Sequence, residues 1–167
     1  EGGVVGAASA DGRYLVFISL ISNNRNDYTP SVPFTGTSAN VWGVFVRDRQ
    51  TGNVIPVDVE ASGNQVGAIA TANQDQLPII TPNGRYVVFR SQAKTLVPGV
   101  TYTSGAMTNI FIRDLQTNTT RLVSVDPAGM NDIPVPTDTQ FAASDDGRFV
   151  AFMTNNLVPY AGISNSN

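Results

Sequence analysis

Ser9-Ala-Asp-Gly-Arg-Tyr-Leu-Val-Phe-Ile-Ser19 recurs as Thr81-Pro-Asn-Gly-Arg-Tyr-Val-Val-Phe-Arg-Ser91, and again as Ser144-Asp-Asp-Gly-Arg-Phe-Val-Ala-Phe-Met-Thr154. A motif met three times at this spacing marks a repeat architecture, and each copy has the grammar of a β-hairpin. A short apolar segment (about 4–8, 78–80 and 141–143) runs into Asp11-Gly12, Asn83-Gly84 or Asp146-Gly147. Such dipeptides tolerate positive φ, which a tight hairpin turn is expected to demand. A strand rich in β-branched and aromatic residues follows, as in Tyr86-Val-Val-Phe89.

A second unit lies between the copies. Val44-Phe-Val-Arg-Asp-Arg-Gln-Thr51 matches Ile110-Phe-Ile-Arg-Asp-Leu-Gln-Thr117, and the register continues through Val57/Val123 and Val59/Val125 to Gly63/Gly129. Each copy reads as a strand, a turn opened by Asp48 or Asp114, and a return strand. Proline falls mostly in the joining segments, where no ladder hydrogen bond is lost. No window sustains a 3.6-residue apolar period. The chain therefore reads as all-β, with strands A1-B1-C1-D1, A2-B2-C2-D2 and A3-B3.

Meanders repeated in this way predict a β-propeller: about two and a half four-stranded antiparallel blades in one segment spanning 1–167. Blade 1 covers about 3–60, blade 2 about 77–126, and half of blade 3 about 140–154. The B–C connections (about 20–40 and 92–108) and the D–A connections (about 61–77 and 127–140) are long. In an up-and-down blade these share one rim, while the tight A–B and C–D turns share the other. Binding residues concentrate on long loops held by a rigid scaffold, so the B–C/D–A rim is the expected functional face.

At these residues the chain resembles the TolB-like, WD-repeat-like β-propellers of bacterial envelope and secreted proteins. The resemblance rests on the three S-x-D-G-R-type copies and on Phe45-Val-Arg-Asp-Arg-Gln-Thr-Gly52. Phe111 to Asn118 repeats the latter with Asn118 in place of glycine, and Leu96-Val-Pro-Gly99 and Asn156-Leu-Val-Pro159 resemble the family segment after strand B. It implies an interaction scaffold, or a propeller domain attached to other modules, in an extracytoplasmic setting (periplasm, cell surface or medium). The motifs shape the blade and carry over no site. The sequence departs from the family at Tyr28, Pro30, Pro33 and Phe34, and at Val100-Thr-Tyr-Thr-Ser-Gly105, where an Asp/Asn-rich stretch is common.

Composition removes whole classes of chemistry. The chain has no Cys and no His, which excludes disulfides, thiolate zinc sites, Cys nucleophiles and any imidazole base. A single lysine, Lys94, leaves little scope for Schiff-base chemistry. A net charge of −3 argues against nucleic acid as partner. With 41 % hydrophobic and only 14 % charged residues, the composition is that of a folded domain. No apolar run approaches the ~18 residues of a membrane span, and no signal peptide is visible. The chain opens on Glu1, and two and a half blades cannot close a ring, so the reading expects more chain or more copies.

Candidate residues divide by recurrence. Asp11, Gly12, Asn83, Gly84, Asp146, Gly147, Asp48 and Asp114 recur at turns and are expected to be structural. Arg13, Arg85 and Arg148 follow the turn glycine, and Arg47 and Arg113 precede the turn aspartate; recurrence points to ion pairs or packing. Phe17, Phe45, Phe89, Phe111 and Phe152 recur on strands and read as core. Tyr28, Phe34, Trp42, Tyr102 and Tyr160 do not recur, lie in or beside the long loops, and are the candidate partner-binding residues, against the alternative of loop packing. No catalytic residue, metal site or cofactor site is nominated. No D-x-D-x-D-G calcium loop and no G-x-S-x-G elbow is present. Asn118-Thr-Thr120 is the one N-x-S/T sequon, and the Ser/Thr/Asn-rich loops offer sites for glycan attachment.

The expected function is a non-enzymatic extracytoplasmic propeller module that binds a protein partner through the long-loop rim. A second expectation is a structural subunit of a filament or surface layer, completed by strand or blade contacts between copies of itself. A third is the propeller domain of a larger enzyme whose catalytic domain lies elsewhere.

Overall fold

The computed structural model describes residues 3–21, 41–67, 77–103, 105 and 107–154. Among them are ten strands in three antiparallel sheets, and no helix. The first sheet runs β1 (Gly3–Ala8), β2 (Tyr14–Ile21), β3 (Val41–Asp48), β4 (Val54–Pro56). The second runs β5 (Ile79–Ile80), β6 (Tyr86–Ser91), β7 (Asn109–Asp114), β8 (Thr119–Leu122). The third pairs β9 (Phe141–Ala143) with β10 (Val150–Phe152). Spatial order equals chain order in every sheet, so each strand pairs with its sequence neighbour.

The registers of the two four-stranded sheets correspond. Phe17 stands opposite Phe45 and Phe89 opposite Phe111, and their rings stack at 5.6 and 5.7 Å between centroids. Successive strand side chains point to opposite faces, so each sheet offers two apolar faces. Val16, Ile18, Val44 and Val46 of the first sheet share a core with Val87, Phe89 and Phe111 of the second. The opposite face of the second sheet, with Val88, Ile110 and Ile112, packs with Phe141, Ala143, Val150 and Phe152 of the third. The second sheet thus lies between the other two, which explains why no residue of β7 is exposed. Full burial of a Val, Ile or Phe side chain contributes about 1.5–3 kcal/mol, so these two shared cores are the main force holding the sheets together.

One contact recurs at both sheet-to-sheet joints. The Gly84 turn of the second unit lies on the ring of Tyr14, and a Cβ at position 84 would stand 2.6 Å from Tyr14 Cδ2. Gly147 lies in the same way on the ring of Tyr86. Both glycines are buried. At the first joint Ala10 N–H also donates across the sheets to the Pro82 carbonyl at 2.8 Å. Gly6, at an irregularity in the β1–β2 register, lets the Pro78 carbonyl approach the strand where any side chain would block it.

The hairpin turns differ in one respect from the expectation. Only the glycine takes positive φ (+68°, +71° and +69° at Gly12, Gly84 and Gly147), while Asp11, Asn83 and Asp146 do not. The Asx residue serves instead as an acceptor. Its Oδ1 receives the Ser9, Thr81 or Ser144 hydroxyl at 2.6–2.7 Å and the Arg13, Arg85 or Arg148 amide at 3.0 Å. The same hydroxyl oxygen accepts the amide of Tyr14, Tyr86 or Phe149 at 3.0 Å. The motif is therefore a side-chain-bonded turn with one left-handed glycine.

Candidate functional site

The tight turns of the first two units are held by a repeated set of internal contacts. Asp48 accepts the Gln50 and Thr51 amides at 2.9 and 3.4 Å and pairs in fork geometry with Arg13 at 3.1 and 2.8 Å. Asp114 repeats this with the Gln116 and Thr117 amides and Arg85, the shortest contact being 2.7 Å. The Arg13 guanidinium holds the Asp48 carboxyl well below the usual range, and Arg85 brings Asp114 down to about 2. Arg13 and Arg85 also lie over the Tyr14 and Tyr86 rings at 4.7 and 4.9 Å. Among the described residues of the third unit, Arg148 reaches its own turn residue Asp146, at 4.0 Å, and stands over Phe149 at 5.5 Å. Asn118 holds φ +56° where the first sheet has Gly52 at +79°, which the short amide side chain tolerates.

The opposite rim is built from the long connections, and its described part is laced together. The segment after β6 bonds to the segment after β8 through Thr101 N to Met130 O at 2.7 Å and Asp132 N to Thr101 O at 3.1 Å. Asp132 is the clamp. Its Oδ1 accepts the Thr103 amide and hydroxyl at 2.8 and 2.7 Å, and its Oδ2 accepts Asn109 Nδ2 at 2.9 Å. Asn109 in turn accepts the Ser124 hydroxyl, whose oxygen accepts the Ile110 amide. Thr95 Oγ1 reaches Glu60 of the first unit at 3.4 Å.

The first unit solves the same local problem with other residues. Asp58 stands where the second has Ser124; its Oδ1 accepts the Val44 amide at 3.3 Å and Gln65 Nε2 at 2.8 Å. Gly43 stands at the Asn109 position because Gln65 fills the space: a Cβ there would lie 2.7 Å from Gln65 Nε2. The acid has moved from 132 to 58, and the amide from 109 to 65. Complete burial pushes the Asp58 carboxyl up to about 6.

The sequence-predicted partner residues fall out as follows. Tyr28, Phe34 and Tyr160 lie outside the described residues. Trp42 sits on β3 at the long-loop end, opposite Leu20, and is half-buried. Tyr102 is half-buried against the first core and donates its hydroxyl to the Val97 carbonyl at 3.2 Å, which anchors the loop. The structure does not bring Trp42 and Tyr102 into one cluster. Sequence reasoning missed Met107 and Met130, which are 39 % and 61 % exposed beside the laced segments. Exposed methionine is adaptable contact surface, and the signal available was its position in the long connections.

Two clefts open between the first two units. One of about 250 Å³ has Arg113 in its wall beside Val59 and Leu96, and one of about 410 Å³ has Arg85 beside Tyr14 and Leu115. Each lining holds one cation and no carboxylate, so neither cleft supplies an acid–base pair. Among the described residues no group of three or more Asp or Glu converges on a metal-sized position, and no helix is long and apolar enough to cross a membrane.

No protein-family model matches the chain, and no curated protein matches it. Among solved structures it is similar to TolB from Acinetobacter baumannii, with a TM-score of 0.51 at 14 % identity over 92 % of this chain. At that identity the likeness concerns the fold, which is TolB-like. The match spans 27 % of that protein's chain, so this chain corresponds to about a quarter of its length.

Proposed function

We propose that the three sheets are successive blades of a β-propeller, two whole and one half within the described residues, and that the chain is a non-enzymatic interaction scaffold. Its partner is an extracytoplasmic protein, and the partner contacts lie on the long-connection rim. The observation that carries this reading is the contrast between rims. On one, the recurrent Ser9/Thr81, Asp11/Asn83, Arg13/Arg85 and Asp48/Asp114 side chains of the first two units are committed to internal bonds. On the other, Asp132 and the Thr101–Met130 bond brace a surface from which Met107 and Met130 project. A braced surface with exposed adaptable apolar groups suits protein contact, because little conformational entropy is lost on binding.

The test is quantitative capture. The immobilised chain is exposed to an extracytoplasmic extract of its source cells, and captured proteins are compared between wild type, M107D/M130D, and Q50E on the tight-turn rim. The expected result is loss of specific partners with M107D/M130D alone, at an unchanged melting temperature. An identical captured set for all three forms contradicts the rim assignment.

A further inference from the structure

We propose that the cleft walled by Arg113, between the first two units, binds a singly charged carboxylate on an aliphatic body about the size of one amino acid, with Arg113 as its anchor.

Arg113 is 7 % exposed and makes its hydrogen bonds through one nitrogen. Nη1 donates to Thr120 Oγ1 at 3.0 Å and to the Val59 carbonyl at 3.4 Å. Nε is buried without a partner, and Nη2 bonds to none of the described residues. Burial pushes the guanidinium down from its ordinary value, and among the described residues no carboxylate forms an ion pair with it to offset that cost.

The chain shows twice what this edge of a guanidinium takes. Nε–H and one Nη2–H point the same way, at the spacing of two carboxylate oxygens. Arg13 turns this edge to Asp48 at 3.1 and 2.8 Å, and Arg85 turns it to Asp114 at 3.1 and 2.7 Å. Arg113 carries the same edge in the wall of a cleft of about 250 Å³. Nε is closed to water, so a carboxylate seats there as the guanidinium tilts toward the cleft and gives up its long bond to Val59. The site is particular to the second unit. Arg47 holds the matching position in the first sheet, but it is exposed and stands opposite Val54, whereas Arg113 stands opposite the hydroxyl of Thr120.

The surroundings define the ligand. Val59, Leu96 and Pro98 make part of the lining apolar, and Thr119 and Thr120 add hydroxyl groups. The volume lies below the ~300 Å³ at which sites for drug-sized ligands begin, which suits one small aliphatic body. Asp58 and Asp114 are near enough to attract Arg113. Asp114 is held by Arg85, while Asp58 gives Oδ1 to the Val44 amide and Gln65 and keeps a buried, unpartnered Oδ2. Two acids at this range repel a second negative charge, so a monoanionic carboxylate is favoured over a phosphate dianion.

The experiment is a titration of the isotope-labelled full chain, following the Arg113 Nε–H resonance. The probes are 4-methylpentanoate, an acetylated tripeptide ending in leucine, the C-terminal amide of each, and inorganic phosphate, each up to about 10 mM. Saturable displacement of the resonance is expected with at least one carboxylate, and binding about tenfold weaker or absent with its amide and with phosphate. Binding of the free acid alone supports the site and assigns it to small metabolites; tighter binding of the tripeptide supports it and assigns it to peptide C-termini. R113Q is expected to lose binding by about tenfold or more, and R47Q to keep it. A61W fills the same cleft from an exposed position and is expected to lose binding too, which keeps the test decisive should R113Q unfold. No saturable displacement with either carboxylate, equal binding of amides or phosphate, or wild-type binding by A61W each overturn the inference.

Discussion

Replacing Gly84 by alanine separates the sheet-to-sheet joint from the turn that forms it. Gly12 and Gly84 occupy the same left-handed backbone, at φ +68° and +71°. Alanine at either position incurs that conformational strain, about 1–2 kcal/mol. At Gly12 little else changes, because the nearest atom to a new Cβ is Arg49 Nη1 at 3.6 Å. At Gly84 the Cβ would stand 2.6 Å from Tyr14 Cδ2 and 3.1 Å from Cε2, so the ring or the whole hairpin must move. Overpacking of that kind costs about 1–3 kcal/mol more. G12A should therefore lose about 1–2 kcal/mol and G84A about 2–5 kcal/mol. The excess belongs to the ring, so it vanishes when the ring is gone: Y14A/G84A should be more stable than the sum of the single losses by about 1–3 kcal/mol. Urea unfolding with linear extrapolation measures the wild type, G12A, G84A, Y14A and Y14A/G84A, and an unchanged slope confirms that stability alone has moved. Equal losses in G12A and G84A, together with additivity in the double variant, refute the joint.

Asp58 should make stability fall with rising pH. Its folded value near 6 exceeds the unfolded 3.8, so the native state holds more protons across that window and loses up to about 3 kcal/mol as pH rises through it. D58N should abolish that slope in pH-dependent urea titrations; parallel curves for wild type and variant contradict the buried-acid assignment. Asp114 acts in the opposite direction: Arg85 holds it near 2, so its contribution is present above 3.8 and lost as pH falls. R85A should flatten the acid limb of the stability curve, and an unchanged limb would remove the ion pair from the account. D132A should strip the Thr103 amide of its acceptor and leave Asn109 without one partner, costing about 1–3 kcal/mol. Hydrogen exchange should then accelerate at Thr103 and little at β7; uniform acceleration would mean that Asp132 is not a local clamp.

The hairpins were legible because their information is local. Asp-Gly-Arg or Asn-Gly-Arg followed by a β-branched, aromatic run specifies a turn and a strand within a dozen residues, and recurrence showed which positions form the repeat. Asp48 and Asp114 were readable as turn residues for the same reason, although Arg13 and Arg85, their distant partners, were legible only as recurrent arginines. What escaped sequence reasoning depends on side-chain geometry inside the turns and on contacts between residues distant in the chain. The reading of Asp11 and Asn83 as residues of permissive backbone missed their work as acceptors, because glycine alone carries the left-handed φ. The exchange of Asp58, Gly43 and Gln65 for Ser124, Asn109 and Asp132 is a three-residue compensation, visible only when the repeats are superposed in space. The role of Tyr14 as a seat for Gly84 is likewise a relation between units far apart in the chain, and strand propensity alone already accounts for an aromatic at that position.

The central claim is that the sheets are stacked by one repeated joint, turn glycine on preceding ring. Nuclear Overhauser contacts in the isotope-labelled chain test it most directly. The account predicts cross-peaks from the Tyr14 ring protons to Gly84 Hα and from the Tyr86 ring protons to Gly147 Hα, with both Hα resonances displaced by the ring currents. Cross-peaks confined to each sheet, with ordinary glycine shifts, would contradict it.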